Sequence, residues 1–178
     1  MVIITPEQPD KHAEQIEGLF DRTFGPGHFA KTAERLREFN ASLPEINRVG
    51  VVDGRVVGVA RAWPIEVEEG GPAVFVGPVA VDPAYRGARL GLRILDELLR
   101  AARGAAFQAA ILIGAIDYFS VIGFRVAAPG QLVMPGPQEA QRLLICDLAG
   151  NAQKMSGRVN IAPAASRCGQ ARAAQSRV

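Results

Sequence analysis

The chain has 178 residues, 48% of them hydrophobic and 21% charged, which suits one domain with a sizeable core. Its net charge of +2 is uneven: residues 151–178 carry Lys154, Arg158, Arg167, Arg172 and Arg177 and no acid, which leaves the body at −3. Every apolar run is broken by Gly, Pro or Arg, the N-terminus lacks a basic and apolar leader, and no aromatic platform adjoins the arginines, so the expectation is a cytoplasmic protein that contacts neither membrane nor nucleic acid.

Val2 to Ile4 read as a first strand. From Pro9 the spacing turns helical, with Ile16, Leu19, Phe20 and Phe24 on one face, and Gly25-Pro26-Gly27 ends the helix. A second helix is expected from about Phe29 to Phe39, with Phe29, Ala33, Leu36 and Phe39 as its apolar stripe. Val49 to Val52, Asp53-Gly54, and Arg55 to Ile65 form a hairpin signature, because Asp-Gly suits a type I′ turn. After a turn over 68–72, Ala73 to Val81 is the next strand. It contains Gly77-Pro78, and proline cannot donate to a ladder, so this strand should bulge or part from a neighbour there.

Gly91 to Arg103 is the clearest helix, with Leu92, Leu95, Leu98, Leu99 and Ala102 inward and an Asp96–Arg100 pair outward. Ala109 to Ile113 is an apolar strand covered on both faces. A short helix near Tyr118 to Val121, a strand from Phe124 and a last strand from Arg142 to Leu148 complete the body. The order β-αα-βββ-α-β-α-ββ describes an α/β fold with a mixed sheet. Residues 1–150 are read as the domain and 151–178 as a basic tail, partly disordered or packed on it. Cys146, in the apolar run LLICDL, reads as a core residue and Cys168 as a tail residue. Neither the cysteines nor His12 and His28 have metal-ligand spacing, so no metal and no disulfide are expected.

The stretch from Val79 to Gly91 carries most of the chemistry. A strand enters a short loop with two glycines and two arginines, then a helix N-terminus whose free amides and dipole suit phosphate oxygens. Arg86 and Arg89 can add charge-assisted hydrogen bonds. The stretch is neither a dinucleotide fingerprint nor a P-loop.

This stretch resembles motif A of the GCN5-related N-acetyltransferases (GNAT), a Gln/Arg-x-x-Gly-x-Gly/Ala pattern. Arg86 takes the first position and Gly91 the last, while Arg89 stands where glycine is usual. Leu112 to Phe124 (LIGAIDYFSVIGF) resembles motif B, in the branch with a tyrosine-rich helix and Gly-Phe, and Phe24 to Arg37 resembles that branch's first two helices. The resemblance spans residues 1–150 and implies a GNAT-like, mostly antiparallel sheet flanked by helices. It also implies acetyl-CoA as cosubstrate. Arg86, Gly87, Ala88, Arg89, Leu90, Gly91 and Leu92 would cradle its pyrophosphate, Val79, Ala80 and Val81 would pair with its pantetheine arm, and Phe119 would face it. A side chain at Arg89 is compatible with this if its φ is negative and it points outward.

Acetyl transfer to an amine needs a deprotonated nucleophile, a stabilised oxyanion and a proton for the thiolate. The family's usual tyrosine, four residues before the glycine of Gly-Phe, is Phe119 here, which leaves Tyr118 or water as the acid. As base, Glu66 is the first choice, with Glu68, Glu69, Asp117 and His28 as further candidates. Trp63 is read as core. The expected activity is acetyl transfer to the primary amine of a small molecule or peptide by direct attack in a ternary complex, with turnover reduced by Phe119. The alternative is a coenzyme A-binding sensor or interaction module. A homodimer is compatible with either.

Overall fold

The computed structural model describes residues 1–25 and 32–163, apart from the side chains at 32, 33 and 88. Strand β1 (Ile3–Pro6) leads into helix α1 (Pro9–Phe24), which begins on a proline that has no amide to leave unpaired. Ile16, Leu19 and Phe20 of α1 are buried, and Phe24 sits at the rim. Helix α2 is only Thr32–Arg35. The expected longer helix is corrected at its end: Leu36 is buried, but Phe39 adopts φ 57° and stands almost fully in solvent, because the chain turns away before the stripe is complete. Phe29 lies outside the described residues.

Strands β2 (Arg48–Val52) and β3 (Arg55–Glu69) form the expected hairpin, with Asp53 and Gly54 both at positive φ. Strand β4 (Gly71–Val81) returns along β3, a short 3₁₀ turn spans Pro83–Ala88, and helix α3 (Leu90–Gly104) follows. Then come β5 (Ala109–Ile113), α4 (Ile116–Phe119), β6 (Phe124–Val126), β7 (Leu132–Val133), β8 (Leu143–Asp147) and β9 (Ser156–Ile161). Strand β9, in the stretch read from sequence as a basic tail, pairs antiparallel with β3 over Ile65 to Glu69.

The sheet order is β1-β2-β3-β4-β5-β8-β6, antiparallel except that β4 and β5 run parallel, as α3 crosses between them. One face packs on α3 through Leu90, Ile94, Leu95, Leu98 and Leu99 against Val57, Ala60, Ala62, Val74 and Val76. The other face meets α1 through Ile16, Leu19 and Phe20, and farther along meets Leu36, Leu132 and Met155. Cys146 is buried in the α3-side core. Asn47, fully buried, ties the elements together: its Nδ2 donates to Glu7 Oε2 at 2.7 Å and its Oδ1 accepts from the Ala62 amide at 2.8 Å. Satisfied in this way, it fixes the start of β2 against β3 instead of costing stability.

Candidate active site

The sheet opens in its middle. Strands β4 and β5 pair only over Ala73–Ala109, Val74–Ala110 and Phe75–Ile111. Beyond them β5 continues with β8, while β4 runs on to Val81 against β3 alone. The parting coincides with Gly77-Pro78. The register to β3 steps from Val76 opposite Ala62 to Val79 opposite Ala60, so two residues of β4 face Arg61. This is the bulge expected from a proline that has no ladder amide to give. The β5-facing edge of β4 from 76 to 81 therefore pairs with no strand among the described residues.

The start of α3 borders this opening. The amides of Leu90, Gly91 and Leu92 precede the first intrahelical bond, which Arg93 N–H donates to Arg89 O at 3.1 Å, and no side chain caps them. Arg86, Gly87 and Arg89 are exposed, whereas Leu90 and Leu92 point into the core. Arg89 takes φ 51°, ψ 30°, the left-handed conformation in which glycine costs least, so of the two conditions set for a side chain there the outward direction is met and the negative φ is not. A hollow of about 350 Å³ adjoins the same loop, walled by Val2, Tyr85, Leu90 and Arg93.

Tyr118 closes the opening from the β5 side. A Cβ built on Gly91 would lie 2.9 Å from the Tyr118 hydroxyl, 3.3 Å from Val81 Cγ2 and 3.9 Å from Val79 Cγ1. Phenol, helix start and free strand edge thus meet at one point, which glycine leaves open and a side chain would fill by displacing the phenol. Tyr118 is 45% exposed. Phe119 instead packs inward. Its ring meets Tyr118 edge-on at 4.9 Å and Phe124 at 6.0 Å, and lies close over Gly114. The helical divergence of adjacent residues does not keep Tyr118 from the opening, because α4 is a single turn that passes into a 3₁₀ turn over Ser120–Ile122.

The other proposed acid–base residues are scattered. Glu66 pairs opposite Pro72, five residues of strand or about 17 Å from the Arg61 bulge, so the structure does not bring it to the opening. Glu68 and Glu69 are taken up in holding β9, accepting from the Arg158 amide at 3.1 Å and the Ser156 hydroxyl at 2.9 Å. Asp117 is exposed beside Tyr118, and His28 lies outside the described residues. Trp63, expected in the core, is instead half-buried at the bulge, where its indole N–H donates to Gly77 O at 2.7 Å.

Two arginines on the α1 side of the sheet escaped the sequence reading. Arg61 donates to Glu7 at 2.8 Å and to Glu17 at 3.2 Å. Burial pulls its pKa down, but hydrogen bonds and charge attraction from Glu7 and Glu17 outweigh that, and the net shift is upward. Arg37 sits over the Phe75 ring at 5.8 Å and pairs with Glu34 at 2.7 Å. Here burial outweighs the single carboxylate, and the pKa falls below the usual arginine value. No group of three or more His, Cys, Asp or Glu side chains is arranged to hold a metal among the described residues, and no helix there is long and apolar enough to cross a membrane.

A sheet split beside an uncapped helix start gives an α/β domain free amides suited to an anion and a free strand edge suited to an extended chain. The sequence model of the GNAT acetyltransferase family matches residues 13–124, and the chain belongs to that family. It is 29% identical over 143 residues to the uncharacterized N-acetyltransferase YhbS of Escherichia coli K12, covering 79% of this chain and 84% of the relative. The crystal structure of E. coli YhbS in complex with CoA superposes with a TM-score of 0.76 at 28% identity, over 90% of this chain and 89% of that one. A Brucella melitensis GNAT acetyltransferase in complex with acetyl-CoA has the same fold, with a TM-score of 0.65 at 22% identity over 94% and 98% of the chains.

Proposed function

We propose that the protein is an acetyl-CoA-dependent N-acetyltransferase that acts on a primary amine by direct attack. The observation that carries this reading is the meeting of the Tyr118 hydroxyl, the free amides of α3 and the unpaired edge of β4 at Gly91. The pyrophosphate would rest on the amides from Gly87 to Leu92 with Arg86 reaching over it, and Val79 to Val81 would pair with the pantetheine arm. That the YhbS structure contains CoA and the Brucella one acetyl-CoA supports the choice of cosubstrate.

In the reaction the amine nitrogen attacks the thioester carbonyl carbon, and the oxyanion is met by backbone amides next to the bulge. Collapse of the tetrahedral intermediate breaks the carbon–sulfur bond. The thiolate takes the Tyr118 proton, water restores it, and the proton released by the attacking nitrogen passes to solvent. Glu66 has no part in this scheme.

Isothermal titration with acetyl-CoA, combined with thiol release across an amine panel, tests the proposal. Arg86→Ala should weaken binding by about 1–3 kcal/mol, and Tyr118→Phe should leave binding intact while lowering kcat at least about tenfold. Unchanged affinity removes Arg86 from the phosphate site. Binding without release from any amine would favour the alternative, a coenzyme A-binding module, a reading that draws on the distance of Glu66 from the opening.

A further inference from the structure

The two sides of the bulge differ in chemistry. Tyr118 and the α3 amides approach from the α3 side, while Arg37, Phe75 and Trp63 lie on the opposite face. Resting on the transferase reading, this means that donor and acceptor meet at the bulge from opposite faces, and that the acceptor meets Arg37.

Arg37 is held there incompletely. Its Nη2 would lie 3.3 Å from a Cβ on Gly77, so the guanidinium abuts the strand where the ladder opens. Its Nη1 is bonded to Glu34, but among the described residues its buried Nε has no partner and no hydrogen bond forms at Nη2. The side chain is 14% exposed. A guanidinium offers five donors in a planar fork, and a buried cation with one monodentate carboxylate is under-compensated. Arg61, equally buried, shows the contrast: three of its nitrogens reach two carboxylates. The two donors left over, Nε and Nη2, lie side by side in the plane of the guanidinium and match the two oxygens of a planar anion.

We infer that Arg37 recognises a carboxylate on the acceptor, so that the acceptor class is an amine that also bears a carboxylate, as in amino acids and their derivatives. The anion would sit on the guanidinium beside Gly77, with the amine directed across the bulge to the thioester.

Acetylated products serve as probes that need no turnover. Binding of N-acetylglycine, N-acetylalanine and N-acetylphenylalanine, each against its primary amide, is measured on the CoA-saturated protein by ligand-observed NMR. The acids should bind at least about tenfold more tightly than the amides. Arg37→Gln should erase that preference while CoA affinity stays within about twofold. Equal binding of acids and amides, no binding of any acid, or a preference that survives Arg37→Gln overturns the assignment. The wild-type comparison decides it even if the variant does not fold. A preference for acids without thiol release from the free amino acids would sink the transferase reading and leave the Arg37 assignment standing. Thiol release with amino acid amides as fast as with the acids would do the reverse.

Discussion

Replacing Gly91 by alanine separates stability from catalysis. The new Cβ would stand 2.9 Å from the Tyr118 hydroxyl, where ordinary contact needs about half an ångström more. The phenol is 45% exposed and can swing outward, so the clash costs little. Gly91 also lies in the first turn of α3, where alanine reduces unfolded-state entropy; about 0.5 kcal/mol of gain is expected, or roughly 1–2 °C in Tm for a chain of this size. The displaced hydroxyl would leave the edge of β4 along which the thioester arm is proposed to lie. A positioned acid contributes about 10²–10⁴ in rate, but thiolates leave readily, so a fall of about 10–100-fold in kcat is the working figure. Thiol release at saturating acetyl-CoA measures the rate, and differential scanning fluorimetry the Tm. Because both changes act through one hydroxyl, Gly91→Ala combined with Tyr118→Phe should be no slower than Tyr118→Phe alone. Wild-type kcat in Gly91→Ala, or losses that multiply in the double variant, would show that the hydroxyl is not the proton source.

Two further outcomes concern stability. Arg89→Gly should relieve a left-handed residue and raise Tm by about 2–4 °C, roughly 1 kcal/mol; an unchanged or lower Tm would mean that the arginine side chain repays its backbone cost elsewhere. Burial holds the Cys146 thiol above its ordinary pKa, the nearby Arg103 opposing. The unfolded chain therefore releases this proton first, so the contribution is complete below about pH 8.5 and declines as pH rises through the folded value. Urea midpoints at pH 7.5 and 9.5 should fall more in the wild type than in Cys146→Ala, and parallel falls would assign the loss to other groups.

What the sequence showed clearly was local. The Asp53-Gly54 hairpin and the long helix after Arg89 each depend on residues within one element, and both formed as expected. The bulge at Gly77-Pro78 was legible because proline lacks an amide. The place of Glu66 away from the opening was not legible, for a non-local reason: alternation gives the face of a strand, but not how far along a fifteen-residue strand its partner will part. That Tyr118 and not Phe119 reaches Gly91 was hard to read because the 100° rule assumes a continuing helix, and α4 lasts one turn. Arg37 had no signal at all. Its meaning arises only where the turn after α2 lands on β4, a meeting of segments forty residues apart. Strand β9 was missed because SGRVNI, polar and basic, becomes a strand only by borrowing the far half of β3.

That borrowing gives β3 two partners in tandem on one edge, β2 along its first part and β9 along its last. Without the segment after 150, Ile65 to Val67 would present unsatisfied backbone beside buried aliphatic side chains, an invitation to intermolecular stacking. Strand β9 thereby keeps covered a length of backbone that would otherwise be bare.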